Sequence, residues 1–231
     1  MSLDFLAPAR GSSAPAALSP FDAATTAAGA SFEVRDGCRV PTSFGDPGAE
    51  ARAVEAAVGW ADASHLGKLE IQVADNAAGE LAALAGGLEL GRAVPDGGAW
   101  WCLLTPVRAL VIGERPELGA RSSLRALDVT TQYAALRIAG PLARETFARF
   151  CALDLREQRM PVGACMPGSV ARTPGLVVRE GADQFLLLTG AALALYLWEV
   201  VTDAGTRLGG RPVGVDAIPA TVGLEEAETR A

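Results

Sequence analysis

The side chains with the widest chemical range in this 231-residue chain are concentrated in one short segment. Residues 58–73 read VGWADASHLGKLEIQV and include the only histidine, His65, and the only lysine, Lys68. A histidine in a turn before a strand can act as a general base near neutral pH. Because no acidic or nucleophilic partner is identifiable beside His65, the segment predicts a structural, hydrogen-bonding role for it in preference to catalysis.

The neighbours of His65 favour structural interpretations as well. Asp62 and Ser64 have short polar side chains that hydrogen-bond nearby backbone groups, so both are expected to cap the turn rather than to bind a ligand. Lys68 opens a stretch with the period-two alternation of a strand, and it is predicted to lie on the solvent side, hydrated or in a surface ion pair. No catalytic residue is predicted.

The cysteines do not indicate a metal site. Cys38, Cys102, Cys151 and Cys165 are scattered, with no C-x-x-C spacing and no cluster with histidine, which argues against both a zinc site and a disulfide framework. No metal ligand is predicted, a reactive thiol at Cys165 is not favoured, and a reducing cytoplasm is the expected compartment.

The charge and hydropathy of the chain exclude several classes of partner. A formal net charge of −7 gives no basic field for nucleic acid or an anionic membrane. The first residues lack the basic region and apolar run of a secretory signal. The longest apolar stretch, FLLLTGAALALYLWEVV, is broken at Thr189 and Gly190 and charged at Glu199, so it predicts a buried strand, a turn and a buried helix.

Two adjacent tryptophans lie in a predicted hairpin. Apolar runs in residues 99–114 flank Thr105 and Pro106, which predicts two strands joined by a turn. Trp100 and Trp101 then point to opposite faces of the first strand. Burial at a boundary between lobes is the favoured interpretation, and the alternative is that one exposed tryptophan contributes to a protein interface.

The remaining patterns predict an α+β fold. Residues 134–210 give a strand, a helix, two strands about a tight turn and a second helix, the order of a ferredoxin-like unit. This order places helices on one face of an antiparallel or mixed sheet. The first half repeats it loosely, with helical periodicity in residues 48–60, a strand in KLEIQV and a further helix. We therefore predict two related α+β lobes.

The composition divides the chain into three parts. The Ala-, Ser- and Pro-rich residues 1–28 predict a flexible N-terminal extension. The domain is expected over residues 29–215, with lobes at roughly 29–123 and 124–215. Residues 216–231 form an acidic tail that is expected to fray.

Several segments together resemble a known superfamily. The stretch AVEAAVGWADASHLGKLEIQVADNAAGELAAL is similar to the opening of the glycine-cleavage T-protein, an aminomethyltransferase. The segments AALRIAGPLA, CALDL with PVGAC, and LYLWEV look most like the gamma subunit of heterotetrameric sarcosine oxidase. The order and spacing of these segments carry the resemblance, which implies the folate-binding aminomethyltransferase fold.

The resemblance also implies a folate cavity, and here the chain departs from the family. T-proteins hold tetrahydrofolate with an aspartate, a tyrosine and glutamate, and an arginine. The first region is replaced by WWCLLTPVRALVIGE, Leu186 stands where the glutamate is expected, and the arginine has no match in RPVGVDAIP. Each lost charged contact weakens binding by about 1.5–3 kcal/mol. Leu66, whose family counterpart often lines the cavity, and His65 are the candidate cofactor-binding residues of any residual folate cavity.

The leading functional hypothesis is a non-catalytic gamma-like subunit of a heterotetrameric sarcosine oxidase. The resemblance implies a holoenzyme that oxidises sarcosine to glycine and passes the released carbon to tetrahydrofolate. FAD, FMN, NAD and the folate would then bind to larger flavoprotein partner subunits. The alternatives are a shortened tetrahydrofolate-dependent aminomethyltransferase that uses unfamiliar residues, and a stand-alone folate-fold ligand-binding protein.

Overall fold

The computed structural model describes residues 16–118 and 123–219, and in these ranges the chain forms fourteen strands and five α-helices. The strands are β1 (Ala17–Leu18), β2 (Ser31–Arg35), β3 (Cys38–Ser43), β4 (Gly59–Asp62), β5 (Lys68–Val73), β6 (Ala93–Asp96), β7 (Ala99–Thr105), β8 (Arg108–Gly113), β9 (Leu124–Asp128), β10 (Tyr133–Ala139), β11 (Cys165–Val170), β12 (Thr173–Gly181), β13 (Gln184–Gly190) and β14 (Arg211–Pro212). The helices are α1 (Asp22–Ala27), α2 (Pro47–Ala56), α3 (Ala78–Ala82), α4 (Ala143–Ala148) and α5 (Ala194–Thr206).

Three sheets organise the fold. The largest has six strands in the order β11-β12-β13-β10-β4-β14, antiparallel except for the parallel pair β4 and β14. The second is an antiparallel five-stranded sheet, β6-β7-β8-β5-β9. A small third sheet has the order β1-β3-β2. The predicted α+β class with mixed and antiparallel sheets is confirmed.

The order predicted for the second half is present with one strand more. Strand β10 leads into α4, the hairpin β12-β13 follows, and α5 closes the unit, but the predicted strand at residues 169–180 turns at Ala171 and Arg172, so that β11 precedes β12. The apolar stretch at residues 185–201 is a buried strand, a short 3₁₀ turn and a helix, as predicted. No helix in the described part of the chain is long and apolar enough to cross a membrane.

The two sheets exchange strands across the predicted lobe boundary at residue 123. Strand β4, from the first half, lies between β10 and β14 of the six-stranded sheet, whereas β9, from the second half, pairs with β5. All four residues of β4 are buried, which requires a central position, and β9 is mostly exposed, as suits an edge strand. The predicted lobes are therefore interleaved in the sheets.

The six-stranded sheet is buried on both faces. Leu136 and Leu187 face α4 and α5, where Phe147 and Trp198 complete one core. The neighbouring residues of the same strands face the five-stranded sheet and form a second core with Trp100 and Ile112. Continuous apolar strands such as FLLLT are typical of sheets covered on both sides.

A third core lies on the far face of the five-stranded sheet, where Trp101 packs with Leu81 and Val111. Trp100 and Trp101 thus point to opposite faces of β7, as predicted. Both are buried, at 5% and 2% exposure, so the preferred interpretation of simple burial is confirmed.

The prediction that residues 1–28 form a flexible extension is wrong for the part that the structure describes. Strand β1 pairs in parallel with β3, and Asp22 forms an ion pair with Arg39 at 2.7 Å. Phe21 is fully buried, with its ring centroid 5.8 Å from that of Trp198. These contacts reach partners that are distant in sequence, and sequence periodicity cannot detect them. Residues 1–15 lie outside the described ranges.

The predicted acidic tail also begins inside the fold. Asp216 lies in a 3₁₀ turn and both of its carboxylate oxygens accept hydrogen bonds from Arg35, each at 2.6 Å. Ile218 is 1% exposed and packs in a small core with Ala61 and Val213. The tail beyond residue 219 lies outside the described ranges.

The burial of Phe21 can be tested by truncation. Phe21→Ala removes a fully buried ring and should lower the free energy of unfolding by about 3–5 kcal/mol in denaturant titrations. The matched control is Leu18→Ala in the same segment, because Leu18 is 63% exposed and should change stability by less than about 0.5 kcal/mol. Equal effects of the two substitutions would show that this segment does not belong to the core.

Candidate functional site

The turn between β4 and β5 is held by the side chains that the sequence assigned to capping. The backbone N–H of Ser64 donates to Asp62 Oδ1 at 2.9 Å, and the backbone N–H of Ala135 donates to Ser64 Oγ at 3.0 Å. Both bonds are buried. The capping role predicted for Asp62 is therefore confirmed, whereas the Ser64 hydroxyl bonds to the distant strand β10 and not to the local backbone of the turn.

The predicted exposure of Lys68 is wrong. Lys68 is 1% exposed, its Nζ donates to the Ser64 carbonyl oxygen at 2.7 Å, and its backbone N–H donates to Thr130 Oγ1 at 2.9 Å. The alternation along β5 is real, but this face is not in water. Glu70 on the same face is also largely buried and pairs with Arg108 at 2.7 Å.

Burial shifts the titration of three groups around this turn. It lowers the pKa of Lys68 to about 8, although the nearby Asp62 acts in the opposite direction. It raises the pKa of the Asp62 carboxyl, and hydrogen bonding from Ser19 and Ser64 only partly offsets this. Burial and the Lys68 charge lower the pKa of His65 to about 4, so the imidazole is neutral at pH 7.

A small cavity of about 70 Å³ lies beside the turn. His65 and Asp62 line it from one side, and residues 17–20 and 38–41 line it from the other. Pockets that bind drug-sized ligands or cofactors are usually about 300–1,000 Å³. This cavity is therefore far too small for a folate.

The two candidate cofactor-binding residues are not brought together. His65 borders the cavity, and its ring makes no hydrogen bond within residues 16–118 and 123–219. Leu66 does not line this cavity but packs against the core between the two large sheets. Their assignment to a folate cavity remains a prediction.

The region that replaces the aspartate segment of T-proteins is packed as core. Trp100, Cys102, Leu110 and Ile112 of β7 and β8 are each no more than 5% exposed and fill the space against the six-stranded sheet. Apolar side chains offer no hydrogen bonds to a pterin. The residues present here do not fit a folate.

One buried carboxylate in this layer was not anticipated. Glu180 accepts two hydrogen bonds from Arg137, at 2.6 and 3.0 Å, and one from Trp100 Nε1 at 3.0 Å. Gln184 Nε2 donates to it at 3.1 Å. The available signal was the charged residues inside two otherwise apolar strands, Arg137 in AALRIAG and Arg179 with Glu180 in GLVVREG. With these four bonds made, the carboxylate is satisfied by the protein itself.

The cysteines do not form a reactive or metal site in the described residues. All four are free, and no group of three or more His, Cys, Asp or Glu residues in those ranges could hold a metal ion. Cys102 and Cys165 are buried between the sheets, and their mutual hydrogen bond together with burial raises the pKa of Cys102 well above its usual value. Buried thiols with a raised pKa are poor nucleophiles.

The sequence of the chain is similar to a known protein domain and to known aminomethyltransferases. A family model described as the GCVT N-terminal domain matches residues 115–226. An aminomethyltransferase of Saccharopolyspora erythraea is 28% identical over 215 residues, which is 82% of this chain and 58% of that protein. The chain therefore spans a little over half the length of this relative.

Two solved structures share the fold. One is a heterotetrameric sarcosine oxidase from Corynebacterium sp. U-96 in complex with pyrrole 2-carboxylate, with a TM-score of 0.60, 22% identity, and coverage of 73% of this chain and 95% of that chain. The other is the glycine cleavage system aminomethyltransferase T from Bartonella henselae, with a TM-score of 0.68, 18% identity, and coverage of 87% and 60%. The chain thus has the fold of these proteins, and its sequence is similar to the GCVT N-terminal domain and to aminomethyltransferases, as the resemblance implied.

The burial of Lys68 predicts a pH dependence of stability. Between the folded-state pKa of about 8 and the ordinary value of 10.5, the unfolded chain holds a proton that the folded chain has lost. The free energy of unfolding should therefore rise with pH in this window, by up to about 3 kcal/mol from this group. Lys68→Met removes the rise.

The measurement is denaturant unfolding of both proteins between pH 7 and 10. The half-buried thiols of Cys38 and Cys151 have raised pKa values and act with the opposite sign in the same range, so the wild-type minus variant difference is used; it reports Lys68 together with the effect of its charge on Cys38. A difference that stays constant over this range would contradict the burial of the amine.

The Glu180 cluster gives a second prediction. Arg137→Ala leaves a buried carboxylate without its cation and should lower the free energy of unfolding by about 3–5 kcal/mol. Arg207→Ala is the matched control, because its ion pair with Asp203 is exposed on both sides, at 63% and 68%, and is expected to contribute about 1 kcal/mol or less. Equal stability of the two variants in chemical denaturation would show that the buried Glu180 carboxylate does not depend on the charge of Arg137.

Proposed function

We propose that the chain is a non-catalytic, gamma-like subunit of a heterotetrameric sarcosine-oxidase-like complex. The observation that carries this proposal is the layer between the two large sheets. Apolar side chains fill it, and its one buried carboxylate, Glu180, is engaged by Arg137, Trp100 and Gln184. A catalytic folate site needs polar groups that are free to meet the ligand.

The comparison with the sarcosine oxidase structure supports the same proposal. The alignment covers 95% of that oxidase chain but only 60% of the T-protein chain. The region that resembles this chain is therefore nearly the whole of the oxidase chain but only part of the T-protein chain. By the resemblance, tetrahydrofolate, FAD, FMN and NAD would bind to the larger partner subunits, and the complex would act in the cytoplasm.

Reconstitution with flavoprotein partners tests this function. The tagged chain is co-expressed with the larger flavoprotein subunits of a heterotetrameric sarcosine oxidase, and the product is analysed by size exclusion with flavin absorbance and sarcosine-dependent peroxide release. We expect the chain to elute with flavin in a stoichiometric complex that oxidises sarcosine, and the same partners without it to be less stable. A chain that elutes as a monomer, apart from the flavin, would remove the proposal.

A second candidate function is a shortened aminomethyltransferase. The name of the 28% identical relative and the family match at residues 115–226 favour it. This function requires that the chain itself bind tetrahydrofolate. A ligand present at 1,000 times its dissociation constant stabilises a protein by about 4 kcal/mol, which is a large shift in melting temperature.

Thermal unfolding with and without tetrahydrofolate separates the two candidates. At millimolar tetrahydrofolate we expect no shift beyond that given by p-aminobenzoylglutamate, which lacks the pterin. A saturable shift specific to the pterin would favour the aminomethyltransferase.

A further inference from the structure

Strand β2 is a free edge of the small three-stranded sheet. Strand β3 pairs with one side of it, and no strand in the part of the chain that the structure describes pairs with the other side. The five residues of β2 are exposed or half-buried, and Val34 near its end is 65% exposed. Because a free edge presents unpaired N–H and C=O groups, a strand from another chain can bind to it.

The pairing of β2 with β3 determines which backbone groups face the free edge. Phe32 lies opposite Pro41, which has no N–H, so this pair cannot exchange two hydrogen bonds. Hydrogen-bonded and non-hydrogen-bonded pairs alternate in an antiparallel ladder, and Val34 opposite Arg39 is therefore also of the second type. The N–H and C=O groups of Phe32 and Val34 thus point away from β3, toward the free edge.

The side chains of β2 are complementary to a second copy of the same strand. When two β2 strands pair antiparallel about a twofold axis at Val34, the two Val34 residues exchange both of their outward hydrogen bonds. Glu33 of each copy then lies opposite Arg35 of the other copy, in the non-hydrogen-bonded type of pair, where side chains are closest. Opposite charges in this position are stabilising, and the two valines form an apolar contact at the centre.

The charged side chains of this edge are accessible to a second copy. The Glu33 side chain is 61% exposed, and its ion pair within one copy is with the neighbouring Arg35 at 2.9 Å. Arg35 also donates two hydrogen bonds to Asp216, each at 2.6 Å, which hold its guanidinium in place. Since this side chain is already ordered, it loses little conformational entropy when Glu33 of a second copy approaches it.

The edge strand β9 of the five-stranded sheet does not have this self-complementarity. Arg125 and Asp128 of β9 are three residues apart and point to opposite faces of the strand, whereas Glu33 and Arg35 are two residues apart and share a face. Residues that lie opposite each other in a sheet point to the same face, so no antiparallel register of two β9 strands sets Arg125 against Asp128. The charge pattern that matches a second copy is specific to β2.

We propose that β2 is a dimerisation edge, at which two copies of this chain join their three-stranded sheets into one six-stranded sheet with Val34 on the twofold axis. The interface involves this chain alone and is independent of the proposed subunit function. Because the paired strands are short and bury little surface, the dimer is expected to be in a concentration-dependent equilibrium with the monomer.

Sedimentation velocity of the full chain, from micromolar to millimolar concentration, tests the proposal. We expect a reversible monomer–dimer equilibrium. Glu33→Arg sets like charges against each other at two positions and should weaken the dimer by about tenfold or more. Glu89→Arg is the matched control, because it makes the same charge change at an exposed acid outside β2 and should leave the equilibrium unchanged. A chain that is monomeric at every concentration, or a dimer that Glu33→Arg does not weaken, would overturn the proposal.

A mixture of two charge variants tests the register. Glu33→Arg and Arg35→Glu each repel a second copy of themselves, but in a mixed pair every position 33 again lies opposite a position 35 of opposite charge. We expect the mixture to form a heterodimer although each variant alone is monomeric. If both variants are folded by circular dichroism and the mixture stays monomeric, the proposed register is wrong.

Substitutions at Val34 provide an independent test that leaves the charges in place. Val34→Pro removes an outward N–H that β3 does not use, so the chain should fold but no longer dimerise, whereas Val34→Thr keeps the N–H and should still dimerise. Val34→Cys sets two thiols across the axis at a Cα separation of about 5.5 Å, which suits a disulfide, so mild oxidation should give a covalent dimer. Leu127→Cys on β9, where Leu127 is 58% exposed, is the control. Equal crosslinking of the two cysteine variants, or dimerisation of Val34→Pro, would contradict the proposal.

Discussion

The fold depends on one buried carboxylate that joins its two large sheets. Glu180 lies on β12 of the six-stranded sheet, where Arg137 of β10 neutralises it, and Trp100 of β7 donates to it from the five-stranded sheet. Moving a carboxylate out of water costs several kcal/mol unless its hydrogen bonds are replaced. The hydrogen bonds that offset this cost form only when the two sheets are packed so that Trp100 lies beside Glu180. Because hydrogen bonds are directional, they specify the relative position of the sheets more strictly than apolar contacts alone would.

The same layer explains why the fold of a folate-binding family does not imply folate binding here. A ligand site between sheets needs open volume and polar groups that are not already satisfied. In this chain Trp100, Cys102 and Ile112 occupy the volume, and the hydrogen-bonding capacity of Glu180 is used within the protein. Such an interior contributes rigidity, which agrees with the non-catalytic role that we propose.

Local patterns predicted those features that depend on neighbours in sequence. The alternation of KLEIQV, the hairpin around Pro106, the opposite faces of Trp100 and Trp101, and the strand-turn-helix at residues 185–201 all follow from backbone periodicity. The capping of the turn by Asp62 is equally local. These contacts span only a few residues, and the sequence alone specifies them.

The features that the sequence did not predict arise from contacts between distant segments. The alternation in β5 correctly predicts a strand, but it also places Lys68 on a face exposed to solvent. In the structure, Thr130 and the turn at Ser64 cover Lys68 on that face. Phe21 orders the N-terminal segment by reaching Trp198 far along the chain. Arg137 and Glu180 are 43 residues apart, and nothing in the sequence around either residue indicates that the two form an ion pair. To predict any of these contacts, one must know which strands are adjacent in each sheet. The sequence does not give this order, because β4 of the first half pairs with β10 of the second half, and β9 of the second half pairs with β5 of the first.

The most direct test of this account is amide and indole hydrogen exchange of Trp100, followed by NMR in ¹⁵N-labelled protein. A Trp100→Phe variant identifies its indole signal among those of the four tryptophans. The account predicts that this N–H exchanges only with global unfolding and that its resonance does not move when tetrahydrofolate is added. Fast exchange from the native state, or a saturable shift of this resonance with tetrahydrofolate, would show that the layer between the sheets is open to ligand and would contradict the account.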